Sequence, residues 1–212
     1  YNDFATALLA WTVFHRVYAF PRGQDDEVLN GDHLGKAIGF EDAPTVVHRN
    51  SRPYRIRISV RDQARFALLY LRGGQWNNRR LLGKELFRQA LSDPLPSDFP
   101  RTSGIEAEMV AGARSVGGGN DQKHHLGCLG YYWWFNRITP DGTRLLPDAP
   151  EGTFLGSGYG GRFAMVVMPE LGLIAVWADI YESEDWTPLD EIGRYRLNET
   201  IRELLAARME PR

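Results

Sequence analysis

Cysteine is nearly absent: Cys128 stands alone among 212 residues, so the chain cannot form an internal disulfide. A chain of this size can be stable without one even when exported, which leaves the compartment open. Charge of one sign is also missing, with 25 Lys and Arg against 27 Asp and Glu and a formal net charge of −2. No basic or acidic excess is available to draw nucleic acid or an anionic membrane surface. Long apolar runs are lacking too: Leu173–Ala178 falls far below the roughly 20 residues that cross a bilayer, so no membrane span is expected. There are only three lysines, Lys36, Lys84 and Lys123, and none stands three positions after any of the eight serines.

What is present suits a globular core. Hydrophobic residues make up 43% and charged residues 25%, an ordinary soluble balance that implies one domain or most of one. Phe4, Leu8, Trp11 and Tyr18 recur at helical spacing, which predicts a helix over Asp3–Tyr18 that stops near Pro21 and Gly23. The start lacks Met and a basic leader, and reads as a helix entered in mid-domain. A polar connector follows.

Ser59, with Asp62 three residues on, caps a second helix whose apolar face is Val60, Ala64, Ala67, Leu68 and Leu71 and whose stop is Gly73–Gly74. Asn77–Arg80 is a polar turn, Leu81–Leu91 a short helix, and Pro94, Pro96 and Pro100 mark an irregular crossing. The Gly-rich run Val116–Asn120 is expected to be a mobile loop bordering a cleft.

Strand character begins beyond it. Gly130–Ile138 is an aromatic strand, and a turn at Pro140–Gly142 leads to a strand at Thr143–Leu146. Arg162–Met168 and Leu173–Ala178 read as a hairpin at the centre of a sheet, because their apolar character hardly alternates. A last helix over Leu189–Arg208 presents Leu197, Ile201, Leu204 and Leu205 on one face. The expected fold is α/β of the α+β type, an antiparallel sheet with helices on both faces.

The run from Ser59 through Leu71 to Trp76, the aromatic segment Gly130–Trp134, the glycines of Gly156–Gly161 and the closing hairpin occur in an order that resembles class C β-lactamase-like hydrolases, within the wider family of serine β-lactamases and penicillin-binding proteins. The likeness is one of pattern over most of the chain. It implies that residues 1–212 form the C-terminal portion of a single β-lactamase/transpeptidase-like domain whose N-terminal segment is missing, in the bacterial cytoplasm or periplasm.

Such enzymes use S-x-x-K, a second motif Y-x-N and a third motif of K-T-G type. Tyr1-Asn2-Asp3 matches the second motif, with Asp3 where Asn is commoner. The resemblance makes Tyr1 the general base or proton shuttle and Asp3 its orienting or substrate-contacting partner. A tyrosine, with its ordinary pKa of about 10, needs a nearby cation for that task. Gly156-Ser157-Gly158 stands where the K-T-G triplet belongs, and the backbone N–H of Tyr159 would be one oxyanion donor. A small residue in place of Lys turns the expectation from β-lactams towards an ester, amide or peptide substrate. On the residues alone, Tyr1 reads as an N-terminal aromatic, and the glycines are equally an edge-strand turn without a catalytic task.

The family reading therefore predicts an acyl-enzyme serine hydrolase needing no cofactor or metal, its S-x-x-K nucleophile on an upstream segment, with Tyr1 facing Ser157 and Tyr159 across a substrate. It also implies that residues 1–212 alone are inactive and incompletely covered at Phe4, Leu8 and Trp11. An inactive relative that binds a ligand or partner is the rival. Asp121, His124, His125 and Cys128 include metal-ligand types, but adjacent histidines on an extended chain point to opposite faces and nothing completes a set of four. Tyr131–Trp134 lacks the basic groove of a nucleic-acid platform and reads as core packing and pocket wall.

Overall fold

The computed structural model describes residues 3–49, 52–92, 107–110, 113–115, 129–138, 142–158, 161–178 and 189–209. The chain divides into two compact units, residues 1–65 with 100–120 and residues 66–99 with 121–212.

In the first unit, α1 (Asp3–Thr12) runs into a π-helical turn over Val13–Val17, so the predicted first helix changes winding before it ends. The expected polar connector is more ordered than its composition suggests. It contains α2 (Asp25–Asn30), α3 (Gly35–Ile38) and an antiparallel pair, β1 (Thr45–Arg49) and β2 (Arg52–Arg57). Two further short strands, β5 (Ala107–Val110) and β6 (Ala113–Ser115), pair with each other, and α1 packs on β2, β5 and β6. Phe14, Val28 and Leu29 form the buried centre, with Val13, Phe20, Val46 and Tyr54 around it. Leu8 of the predicted apolar face is exposed, and Ala7 is buried instead.

The boundary between the units falls inside α4 (Val60–Leu71). Its start is the predicted cap: Ser59 Oγ accepts the Asp62 N–H at 3.1 Å. The Asp62 carboxylate, fully buried, then accepts the backbone N–H groups of Glu41 and Asp42 at 2.8 and 2.9 Å. Gly73 and Gly74 end the helix at φ 62° and 81°, as the sequence implies. The buried face differs from expectation: Val60 is exposed, while Ala67 and Leu69 are buried. One polar residue, Asp62, therefore shifts the stripe, because its carboxylate is drawn inward by two backbone donors.

Among its described residues, the second unit holds a sheet of five antiparallel strands in the order β11-β10-β9-β8-β7. These are β7 (Leu129–Gly130), β8 (Trp133–Phe135), β9 (Phe154–Gly158), β10 (Phe163–Met168) and β11 (Leu173–Ala178). The fold is thus mixed helix and antiparallel sheet, with both faces covered. Leu155, Ala164, Val166, Met168 and Trp177 pack with Leu197 and Ile201 of α6 (Leu189–Met209) on one face. Phe154, Met165, Val167, Trp133 and Phe135 pack with Ala67, Phe66 and Tyr70 of α4 on the other. Burial on two sides explains the nearly continuous apolar runs of β10 and β11.

Several details depart from the sequence reading. Among the described residues, the hairpin lies towards one end of the sheet, with β9, β8 and β7 following on the β10 side. Gly130–Ile138 is not one strand: it turns at Tyr131 and Tyr132, both at positive φ (48° and 67°), and pairs β7 with β8. Thr143–Leu146 is a loop, not a strand, held by Asn136, and Leu204 of α6 is exposed. The polar turn at Asn77 and Asn78 joins β3 (Gln75–Trp76) to β4 (Arg79–Arg80), and α5 (Lys84–Ala90) falls within the predicted Leu81–Leu91. The proline-rich crossing and the Gly-rich run lie outside the described residues.

Candidate functional site

Gly156, Ser157 and Gly158 are the last three residues of β9. They pair with Met165, Ala164 and Phe163 of β10. On its other side, β9 pairs with β8 only at Phe154 and Leu155. The triplet thus extends past its neighbour, and among the described residues no strand pairs its second flank. Strand alternation places Ser157 with Leu155 and Ala164 on the α6 side, and Gly156 and Gly158 on the α4 side.

Sterics do not force either glycine. A Cβ on Gly156 would meet only the Met165 methyl at 3.5 Å, and one on Gly158 would meet nothing within 4 Å. The lack of Lys at Gly156 is therefore a chemical difference from the K-T-G pattern, not a demand of packing. Just beyond the triplet, the Trp177 indole N–H donates to the Gly161 carbonyl at 2.8 Å, and Gly161 has φ 97°. That buried bond fixes where the chain enters β10.

The end of β8 is fixed by Asn136, which is fully buried. Its amide nitrogen donates towards the carbonyls of Leu146, Ala149 and Pro150 at 2.9, 3.3 and 3.0 Å. Its oxygen accepts the Leu146 N–H at 2.7 Å, and its own N–H donates to the Thr153 carbonyl at 2.9 Å. Asn136 thus ties the 145–153 loop to the strand that precedes it, and Thr153 leads directly into β9.

Of the other predicted site residues, Tyr1 and Tyr159 lie outside the described residues, as do Asp121, His124, His125 and Cys128. Asp3 is the first residue of α1, and its side chain lies outside the description. The structure brings Gly156, Ser157 and Gly158 together on one strand, and it bears on no other member of the set.

A cluster that the sequence reading missed lies in the first unit. His48 Nε2 is 3.0 Å from Asp25 Oδ2, and His15 Nε2 is 3.2 Å from Asp25 Oδ1. His15 Nδ1 hydrogen-bonds the Phe20 carbonyl at 2.8 Å, and His15 Nε2 meets the Tyr54 hydroxyl at 3.1 Å. Tyr54 adopts φ 58°, uncommon for an aromatic residue. Burial pushes its pKa above the usual tyrosine value, Asp25 adds to the rise, and Arg22 opposes it. The sequence signal available was weak: three acids at Asp25–Glu27 after a glycine, with two histidines far away in the chain.

No protein-family model matches this chain, and no curated protein matches it. Among solved structures it is similar to the crystal structure of a candidate β-lactamase from Bacteroides dorei, at 14% identity and a TM-score of 0.43, over 81% of this chain and 49% of that one. The chain spans about half the length of that protein.

Proposed function

We propose that the chain is part of a serine hydrolase of β-lactamase-like type that cleaves an ester or amide through an acyl-enzyme intermediate. The observation that carries this reading is the triplet Gly156–Gly158, which has β10 on one flank and no partner strand on the other among the described residues. An unpaired strand flank with small side chains offers N–H and C=O groups to an extended amide or ester substrate, as an added strand would use them.

On this reading the oxyanion forms against backbone donors at the end of the strand, with the Tyr159 N–H as one of them. Tyr1 serves as base or proton shuttle, and Asp3 orients it or contacts substrate. The nucleophile is a serine outside residues 1–212, because no serine within them is followed by lysine at the third position. It attacks the carbonyl carbon, the leaving alcohol or amine departs with a proton, and water then hydrolyses the acyl-enzyme. With glycine at 156, no lysine at that position pairs with a substrate carboxylate, so simple esters and amides fit better than penicillins.

The test is to label the natural full-length protein with a fluorophosphonate and with a fluorescent penicillin, then map the adduct by mass spectrometry. A fluorophosphonate adduct on a serine followed by Lys three positions later is expected, with weak or no penicillin labelling. An unlabelled protein that still binds a ligand would replace this reading with that of an inactive relative.

A further inference from the structure

The His15–Asp25–His48–Tyr54 cluster is too specific in its hydrogen bonding to be a simple surface ion pair. The network assigns its protons. The Phe20 carbonyl can only accept, so His15 Nδ1 carries a hydrogen, and His15 Nε2 lies beside both Asp25 Oδ1 and the Tyr54 hydroxyl. The Tyr54 hydroxyl, its pKa raised by burial, hydrogen-bonds that nitrogen at 3.1 Å. Asp25 accepts the Nε2–H of His48, which leaves the lone pair of His48 on Nδ1, away from the carboxylate.

Exposure divides the two imidazoles into different tasks. The His15 side chain is 8% exposed and that of Asp25 9%, whereas that of His48 is 45% exposed. His48 therefore offers a basic nitrogen from a half-open ring whose inner nitrogen is held by a buried carboxylate. The Tyr54 ring stands edge-on to His48, with centroids 4.6 Å apart, and limits its rotation. The two histidines engage different oxygens of Asp25, and no group of three His, Cys, Asp or Glu among the described residues could share a metal ion. Asp25 lies between the two imidazoles, with Oδ1 3.2 Å from His15 Nε2 and Oδ2 3.0 Å from His48 Nε2, so its carboxylate stands where it can stabilise an imidazolium at His48.

We infer that His48, positioned by Asp25, is a general base that hydrolyses small activated esters, by a route that needs no serine nucleophile. His48 Nδ1 takes a proton from water as the water oxygen bonds to the ester carbonyl carbon. The tetrahedral intermediate collapses with cleavage of the bond to the alkoxy oxygen, and the His48 imidazolium returns the proton to that oxygen. The products are the acid and the alcohol. Asp25 is a positioning residue.

The experiment uses the natural full-length protein, pretreated with fluorophosphonate to silence any serine nucleophile. The probe is para-nitrophenyl acetate. Turnover above the uncatalysed rate is expected. His48→Gln should lower kcat about a hundredfold, and added imidazole should restore much of it, which a merely structural role would not allow. Asp25→Asn should lower kcat with little change in KM. Pretreated protein that turns over no faster than His48→Gln overturns the inference, as does a His48→Gln loss that imidazole leaves untouched. Absence of a fluorophosphonate adduct bears only on the serine reading.

Discussion

Replacing Asn136 should cost the second unit a large share of its stability. The side chain makes four contacts with the 145–153 loop, three from its amide nitrogen and one at its oxygen. An NH2 group has two hydrogens, so the three carbonyls share them, and the net gain is nearer three hydrogen bonds than four, at about 1 kcal/mol each. Asn136→Ala also strands the Leu146 N–H inside a fully buried segment, which adds about 1 to 3 kcal/mol. The expected loss is about 4 kcal/mol, comparable with the whole stability of a marginal domain.

Asn136→Asp separates the hydrogen-bond account from the volume account. It keeps the shape and the acceptor for Leu146 but faces three carbonyl oxygens with a carboxylate oxygen instead of two N–H donors. It should be at least as destabilising as alanine at neutral pH. Urea unfolding of the natural full-length protein, read as a change in midpoint at constant slope, measures both variants. A loss below about 1 kcal/mol for alanine, or an aspartate variant as stable as the parent, would refute the reasoning.

Asp62→Ala removes the acceptor of the Glu41 and Asp42 N–H groups and should cost about 3 kcal/mol in chemical denaturation. Gly74→Ala should be much worse than Gly73→Ala. Both sit at positive φ, but a Cβ at 74 would lie 2.7 Å from Leu82 Cβ, whereas one at 73 meets open space; about 3 against about 1 kcal/mol is expected by thermal unfolding. Tyr70 has its pKa raised by burial, partly offset by its bond with Trp133. A raised folded-state value means that the unfolded chain releases the proton first. The stabilisation is therefore fully present below the ordinary tyrosine value of about 10 and is lost as pH rises through the higher folded value. Tyr70→Phe should flatten that alkaline decline, which unfolding midpoints measured across the range would check.

The elements that could be read from sequence are those whose burial is periodic and local. The capped start of α4 at Ser59, its glycine stop, the β10–β11 hairpin and α6 each depend on residues within a few positions of one another. Where the reading failed, a distant partner decided the outcome. Val60 lost its place on the buried face of α4 because Asp62 is claimed by backbone some 20 residues earlier. Thr143–Leu146 has a strand's composition, but Asn136 satisfies its polar groups as a loop. The aromatic run split because Tyr131 and Tyr132 take positive φ, which composition argues against.

The two candidate sites differ in the same way. Gly156–Gly158 was visible because a glycine-flanked triplet before an apolar hairpin is a local pattern, yet its chemical opportunity depends on β8 ending its pairing at Leu155, which no local pattern encodes. The histidine cluster was invisible at both levels. His15 and Tyr54 are 39 positions apart, and His48 and Asp25 are 23 apart. His15 also sits in a π-helical turn, whose wider winding moves a side chain off the face that a 3.6-residue period assigns to it. Titratable residues brought together by such a turn and by a left-handed tyrosine carry backbone strain that hydrogen bonds must offset. That makes the cluster a place where Tyr54→Gly is informative: it relieves the strain at φ 58° but removes the ring beside His48 and the hydroxyl on His15. If the cluster serves only folding, the relief and the lost contacts should partly cancel in unfolding midpoints with no effect on ester turnover. If it serves catalysis, turnover by fluorophosphonate-treated protein should fall even where the midpoint is unchanged.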